Sequence, residues 1–248
     1  MKNKKNLKGL ITTLFRNILI LSTFIFAVTP YTIWYMLVDD GRILTKEYVK
    51  VCKMMLWAFG VKLIIDGKIP KDGEQRVIMI NHGSVVDMLI TGIYFDGETG
   101  IAVVAKKLFY IPIFRFWLRR TNTIGLNRKS TKDQLRVYRE MDKVLREGKN
   151  NLFICPEGER TTTGEMLPFK LAIFKLVVKY NKTIVPVSVI GAFEIKNKKS
   201  FFIAPGAVTM INKKLIQGKG KNPEDLAKEV KKEIMGNIEK FKNSRYST

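Results

Sequence analysis

The chain contains one histidine, His82, so any imidazole chemistry has to happen there. It stands in Asn81-His82-Gly83-Ser84-Val85-Val86-Asp87, with four residues between the imidazole and the carboxylate. An aspartate in the first turn of a helix can reach back to a histidine in the preceding loop. The carboxylate then fixes the tautomer at one ring nitrogen and leaves the other free to take a proton. Such a base can deprotonate a hydroxyl directly, and the alkoxide-like oxygen can attack an acyl thioester without an enzyme nucleophile. The same spacing also fits a histidine at a helix start whose aspartate only caps that helix. Ser84 is a rival nucleophile, but no G-x-S-x-G elbow surrounds it.

A second polar island reads Cys155-Pro156-Glu157-Gly158-Glu159-Arg160-Thr161. Gly158 allows a close backbone approach, Glu157 can accept hydrogen bonds from a polyol, and Arg160 can hold a phosphate through two parallel bonds. Lys106 and Arg128 are further cation candidates, each in a polar stretch between structured segments. Lys107, Arg119, Arg120 and Lys129 read as solvated surface charge, the ordinary fate of a cation in a chain of net charge +22.

Positioning these groups falls to alternating β-rich runs and helical patterns. Strands are expected at 61–65, 77–80, 101–104, 152–155 and 184–189. The clearest helix is 131–146, where Leu135, Tyr138, Met141, Val144 and Leu145 recur at helical spacing before Gly148. Others are expected at 169–180 and, opened by Asn222 and Pro223, at 223–242. Alternation of this kind predicts an α/β fold, a mostly buried mixed sheet flanked by helices. Sites in such sheets collect beyond the carboxyl ends of strands, which is where His82, Lys106 and Glu157 fall. Pro186, inside a strand pattern, suggests an edge or a bulge.

Apolar residues make up 46% of the 248, which excludes disorder. Two cysteines exclude a disulfide framework, both thiols are expected to be reduced and buried, and no C-x-x-C or Cys/His cluster offers a metal site. The +22 charge calls for a polyanionic partner: nucleic acid, an anionic membrane surface or phosphorylated substrates.

Lys2, Lys4, Lys5 and Lys8 precede a run, 17–38, without formal charge. As a helix it would extend about 33 Å, enough to cross a hydrocarbon core. It is too long for a typical signal-peptide core, and Val28-Thr29-Pro30 is a poor cleavage site. A single crossing would leave basic segments on both sides of the membrane, against the positive-inside preference. The expectation is therefore an N-terminal two-helix membrane-embedded hairpin over residues 1–60, ahead of a catalytic domain over 61–248. Pro30 would kink its first helix and Asp39-Asp40-Gly41 would turn the chain. Lys46, Glu47, Lys50 and Lys53 would line the polar side of the second. A buried core helix in a soluble protein is the other reading of this run.

Together the islands resemble the 1-acyl-glycerol-3-phosphate acyltransferases, over about residues 77–189. Asn81-His82 with Asp87 is similar to the family's N-H-x-x-x-x-D block. Lys106, six residues before Pro112, resembles the lysine of its next segment, and Arg128 the arginine that ends its second block. Pro156-Glu157-Gly158 with Arg160 is similar to P-E-G-T-R, and Val185-Pro186-Val187 to the fourth block. Asn122 and Ala172 stand where the family usually has glycine, Asn127 where it has aspartate, and Glu159 where it has threonine.

The resemblance implies transfer of a fatty acyl group from acyl-CoA or acyl-carrier protein to the sn-2 hydroxyl of lysophosphatidic acid, forming phosphatidic acid. It implies no cofactor beyond that co-substrate. His82 would be the base and Asp87 its orienter. Glu157 would be a glycerol or structural contact beside Gly158, and Lys106, Arg128 and Arg160 would bind phosphate. Membrane lipids of an anionic leaflet would be partners and the cytoplasmic face of the cell membrane the location. An acceptor such as glycerol 3-phosphate or another lysophospholipid is the alternative. A nucleic-acid-binding protein would suit the lysine-rich stretch 195–222, but no helix-turn-helix, zinc finger or RNA-binding motif accompanies it. A non-catalytic lipid-binding module is the third class.

Overall fold

A computed structural model of the chain describes residues 12, 15, 17–38, 45–95, 100–200 and 203–246. The four amino-terminal lysines and the expected turn at Asp39-Asp40-Gly41 lie outside the described residues. Strands β1 (Val61–Asp66), β2 (Arg76–Ile80), β3 (Gly100–Ala105), β4 (Ile124–Leu126), β5 (Asn151–Ile154), β6 (Thr183–Ile190), β7 (Gly206–Ile211) and β8 (Ile216–Gln217) form one sheet. Its order is β1-β7-β6-β2-β5-β3-β4, with β8 paired to β6. Pairing is parallel throughout except where β7 and β8 meet β6, so the sheet is mixed.

The middle of the sheet is buried on both faces, as continuous apolar strands demand. In β2, Ile78 and Ile80 face one layer while Val77 and Met79 face the other, the two-residue period of a strand. The first layer holds helices α1 (Asn17–Leu37), α2 (Thr45–Ala58), α3 (Asp87–Phe95) and α4 (Pro112–Arg120). The second holds α5 (Thr131–Glu147), α6 (Leu171–Lys179) and α8 (Pro223–Tyr246); the short α7 (Ala192–Ile195) follows β6 and packs in the first. In α5 the Ser130 hydroxyl caps the Asp133 amide, and Gly148, at φ 72°, closes the helix in the left-handed conformation glycine favours. Its buried stripe is Val137, Met141 and Leu145, whereas Leu135 is exposed, so the apolar pattern there is wider than the face that packs.

One expectation about the sheet is corrected. Pro186 lies in an interior strand, in register with Met79 of β2. On its other side β8 pairs with 183–184 and β7 with 188–190, so the proline falls in the gap between them, where it interrupts neither pairing. The lysine-rich stretch after Ile195 contains β7 and β8, whose short or lysine-flanked apolar runs hid them.

Helix α1 divides by face. Val28, Thr32 and Tyr35 are buried, spaced at i, i+4 and i+7, while Ile18, Leu21, Ile25, Phe26, Ile33, Trp34 and Leu37 are exposed. It is the one described helix long and apolar enough to cross a membrane. Just before Pro30 it widens into a π-helical stretch, Phe24–Val28, whose Phe24 carbonyl accepts from both the amide and the hydroxyl of Thr29. Helix α2 turns its apolar face inward: Val51, Cys52, Met55 and Leu56 join the first core layer, and Lys46, Lys50, Lys53 and Trp57 remain outside.

The α1–α4 contact is anchored by the Trp117 indole, which donates to the buried Thr32 hydroxyl at 3.1 Å and stacks on Tyr35. Thr32→Val should leave that indole N–H buried and unpaired, at a cost of about 1–3 kcal/mol. Denaturation midpoints in detergent micelles measure this, and pairing it with Trp117→Phe should recover part of the loss.

Candidate active site

Strand β2 ends at Ile80, and the next residue prolongs its pairing with a side chain. Asn81 Oδ1 accepts from the Val189 amide at 2.7 Å and Nδ2 donates to the Val189 carbonyl at 2.9 Å. The main chain of His82 is then gripped by the 157–161 loop. Its amide donates to Glu157 Oε1 at 2.7 Å and its carbonyl accepts from the Thr161 amide at 3.1 Å. Glu157 Oε2 accepts from the Leu167 amide at 2.7 Å, so this buried carboxylate spends both oxygens on backbone. Burial pushes the Glu157 carboxyl up, and the two amides work against it. Its geometry is that of a brace between two loops.

Asp87 opens α3, and its Oδ2 accepts from Ser84 N–H at 2.9 Å, from Gly83 N–H at 3.1 Å and meets His82 Nδ1 at 2.8 Å. The carboxylate therefore both caps its helix and orients the imidazole; the two readings of the spacing hold together. Burial opposes charging of His82, but charge interactions and hydrogen bonds with Cys155 and Asp87 outweigh it and lift the imidazole above its ordinary 6.5. The Ser84 hydroxyl donates to the Lys196 carbonyl at 2.8 Å and accepts from the Val86 amide, a structural engagement for a fully buried side chain.

His82 and Asp87 open onto a cavity of about 280 Å³. One part of its wall is apolar, from Tyr48, Met88, Val104, Leu118 and Phe153 among others. Arg128, Arg160, Lys107 and Lys198 also line it, as does Gly158. Gly158 has φ 76° and an added Cβ would meet only ordinary contacts, so glycine is required there by the turn rather than by crowding. Desolvation at the cavity wall and the neighbouring Arg160 push Arg128 down, with Cys155 and Glu159 opposing. Lys196 is lowered in the same way, by desolvation and then by Arg160. Like charges close enough to act on one another create a place for an anion.

Of the seven residues singled out in the sequence, His82, Asp87, Arg128, Gly158 and Arg160 share this wall, and Glu157 braces it from behind. Lys106 does not reach the cavity; its amine lies 3.7 Å from Asp133 and lines an adjacent groove, while Lys107, read as surface charge, lines the cavity instead. Adjacent lysines at the start of a 3-10 turn, Lys106–Tyr110, point in different directions, which no spacing argument resolves. Cys155 also departs from expectation: it is half-buried, beside His82, not sealed in the core.

The acyltransferase family matches residues 61–190, more than half of the chain. This chain belongs to the acyltransferase family. It is similar to the 1-acyl-sn-glycerol-3-phosphate acyltransferase of Borreliella burgdorferi, 32% identical over 153 residues that cover 61% of this chain and 58% of that protein. The protein of the same description from Cocos nucifera is 23% identical over 158 residues, covering 64% of this chain and 51% of its own. The chain thus spans little more than half the length of these curated relatives. The crystal structure of the 1-acyl-sn-glycerophosphate acyltransferase of Thermotoga maritima shares the fold, with a TM-score of 0.80 at 22% identity over 94% of this chain and 97% of the other.

Within this acyltransferase, Asn81 and Glu157 act at one remove, through the backbone that carries His82. Glu157→Gln would set an amide donor against one of two main-chain donors in a buried place. It should destabilise the protein by about 1–3 kcal/mol. Initial rates should show kcat falling while KM for the acceptor holds, since the residue positions the base and leaves the cavity wall alone.

Proposed function

We propose that the chain transfers a fatty acyl group from acyl-CoA or acyl-carrier protein to the sn-2 hydroxyl of lysophosphatidic acid, forming phosphatidic acid. The observation that carries this reading is the His82–Asp87 pair opening onto a cavity lined by apolar side chains and by the cations Arg128, Arg160, Lys107 and Lys198. Asp87 holds Nδ1, so Nε2 faces the cavity and takes the acceptor hydroxyl's proton. The oxygen attacks the thioester carbonyl, the tetrahedral centre collapses, and the leaving thiolate takes the proton back from His82. Arg160 and Arg128 hold the acceptor phosphate, Lys107 and Lys198 add to the positive end, and the apolar wall takes acyl chain. Lys106 contributes to a basic surface beside the cavity, and Glu157 bears on the acceptor only through the loops it joins.

Both ends of this chemistry suit a membrane surface. In our reading residues 1–60 form a hairpin in one leaflet, α1 with its exposed apolar face in lipid and α2 returning along the catalytic domain of 61–248. The protein is then monotopic, on the cytoplasmic face, where anionic lipids attract its +22 charge at roughly 1 kcal/mol per well-placed cation. Nucleic acid has no part in this reading.

The test is acyl transfer from acyl-CoA, and separately from acyl-carrier protein, to lysophosphatidic acid in mixed micelles. Phosphatidic acid should form with wild type, and His82→Ala should lose on the order of 10²–10⁴-fold in turnover. Product with glycerol 3-phosphate but not with lysophosphatidic acid would overturn the acceptor assignment. Arg160→Ala should raise KM for the phosphorylated acceptor roughly tenfold or more.

The raised imidazole sets the pH dependence. Catalysis needs neutral His82, so kcat/KM should climb with pH through an ascending limb above 6.5. Asp87→Asn removes a charge that favours the imidazolium and should move that limb down while lowering the plateau. Stability runs the other way: the charged pair contributes fully below pH 6.5 and its contribution is lost as pH rises through the raised value.

A further inference from the structure

We propose that the groove along the outer edge of β4, between α4 and α5, docks the nucleotide end of acyl-CoA; this rests on the reading of the cavity as the seat of acyl transfer. The groove encloses about 500 Å³ and is lined by Lys106, Phe109, Tyr110, Arg115, Arg119 and Arg136 among others. Thr123 lines both this groove and the cavity, so the two share a wall. Lys106 marks the end nearer the reacting groups. Its partner Asp133 accepts from the amide of Asn127, whose neighbour Arg128 lines the cavity.

The arginines of the groove are of two kinds. Arg136 is spent on protein: it pairs with Asp133 at 2.9 Å and Glu140 at 2.6 Å, and donates to the Gly125 carbonyl. That pairing also neutralises Glu140, a carboxylate that lines the groove. Arg115 and Arg119 are exposed, and neither has an ion pair or a side-chain hydrogen bond among the described residues. They stand one turn apart on a helix without an acidic residue, where like charges repel. An anion between them would relieve that repulsion, and each guanidinium can grip a phosphate through two parallel bonds.

Aromatic rings face the same groove. Phe109 packs across Gly125 of β4, so closely that a Cβ there would meet its ring at 3.0 Å, and Tyr110 stands largely exposed. Rings beside phosphate-binding arginines give an adenine base a face to stack on. The distances agree. Strand β4 stands three places from β2 in the sheet, about 14 Å at the ordinary interstrand spacing. A pantetheine arm has roughly as many backbone bonds as four residues, so it too spans about 14 Å when extended. The thioester can then reach His82 while the diphosphate and 3′-phosphate stay at Arg115 and Arg119. A concave site of this size suits a nucleotide, whereas a carrier protein would need a broader surface.

The experiment uses the full chain in detergent micelles, with Arg115→Gln/Arg119→Gln and Tyr110→Ala beside wild type. Calorimetry with adenosine 3′,5′-bisphosphate probes the groove directly. Wild type and His82→Ala should bind it equally, and the double variant at least tenfold more weakly. In acyl transfer the double variant should raise KM for acyl-CoA tenfold or more, and Tyr110→Ala severalfold, while kcat and KM for lysophosphatidic acid hold. With S-acyl-pantetheine, which lacks the nucleotide, the double variant should match wild type. No binding of the bisphosphate, or an equal loss with acyl-pantetheine, would overturn the proposal. So would a raised KM confined to acyl-carrier protein, which would make the groove a protein-docking face. Weaker binding to anionic vesicles with unchanged acyl-CoA kinetics would make it a lipid-binding face, and overturns the proposal equally. The calorimetric arm needs no turnover, so failure of the acceptor assignment and failure of this proposal are read separately.

Discussion

A single carboxylate oxygen, Asp87 Oδ2, carries the site. It accepts two main-chain amides from the loop it caps and binds the imidazole of that same loop. Capping and catalytic orientation are thus one interaction, and neither can be lost alone. The loop reaches this oxygen only because β2 is fixed between β5 and β6. Asn81 extends the pairing with β6 through both its amide atoms, and the loop after β5 clamps His82 through Glu157 and Thr161. The buried strands on either side therefore act as the rigid frame that a base needs for a fixed near-attack geometry.

The link between chemistry and membrane runs through one short helix. In α4, Trp117 docks on Thr32 and Tyr35 of α1, while the next residue, Leu118, lines the cavity. Two residues of one turn therefore relate the apolar face of α1 to the reacting groups. Helix α2 strengthens this, since its apolar side belongs to the catalytic core and Tyr48 reaches the cavity wall. The amino-terminal segment is part of the body that holds the site, which a tethered leash would not be.

The sheet's central strands and the longest helices were legible because their residues carry a period: two for β2, 3.6 for α5. The His–Asp pair was legible because the chain has one imidazole and the carboxylate stands where a helix must begin. What escaped has a common physical cause. Strands β4, β7 and β8 are short or lie among lysines, and tertiary pairing rather than local pattern creates them. The choice between Lys106 and Lys107 depends on a rotation within a 3-10 turn. Cys155 looked like a buried core thiol because it ends an apolar run, and only the register of β5 on β2 shows that the run stops at the cavity. Glu157 was read as a glycerol or structural contact, and sequence could not choose because the amides that engage its two oxygens, those of His82 and Leu167, are distant from one another in the chain.

The cations that line the cavity set the electrostatics around the base. Arg128 and Lys196 are held down by desolvation and by Arg160, a repulsion that an anion beside them would relieve. In the proposed reaction a phosphate placed there would gain from that relief as well as from its own hydrogen bonds. Desolvation disfavours an imidazolium at His82, whereas Cys155 and Asp87 favour it. An arriving phosphate anion would by itself raise the imidazole further, strengthening the base while lowering the fraction of it that is neutral at a given pH. In the proposed reaction the phosphate and the reacting hydroxyl belong to one small acceptor, so a single charged group would serve both recognition and proton transfer.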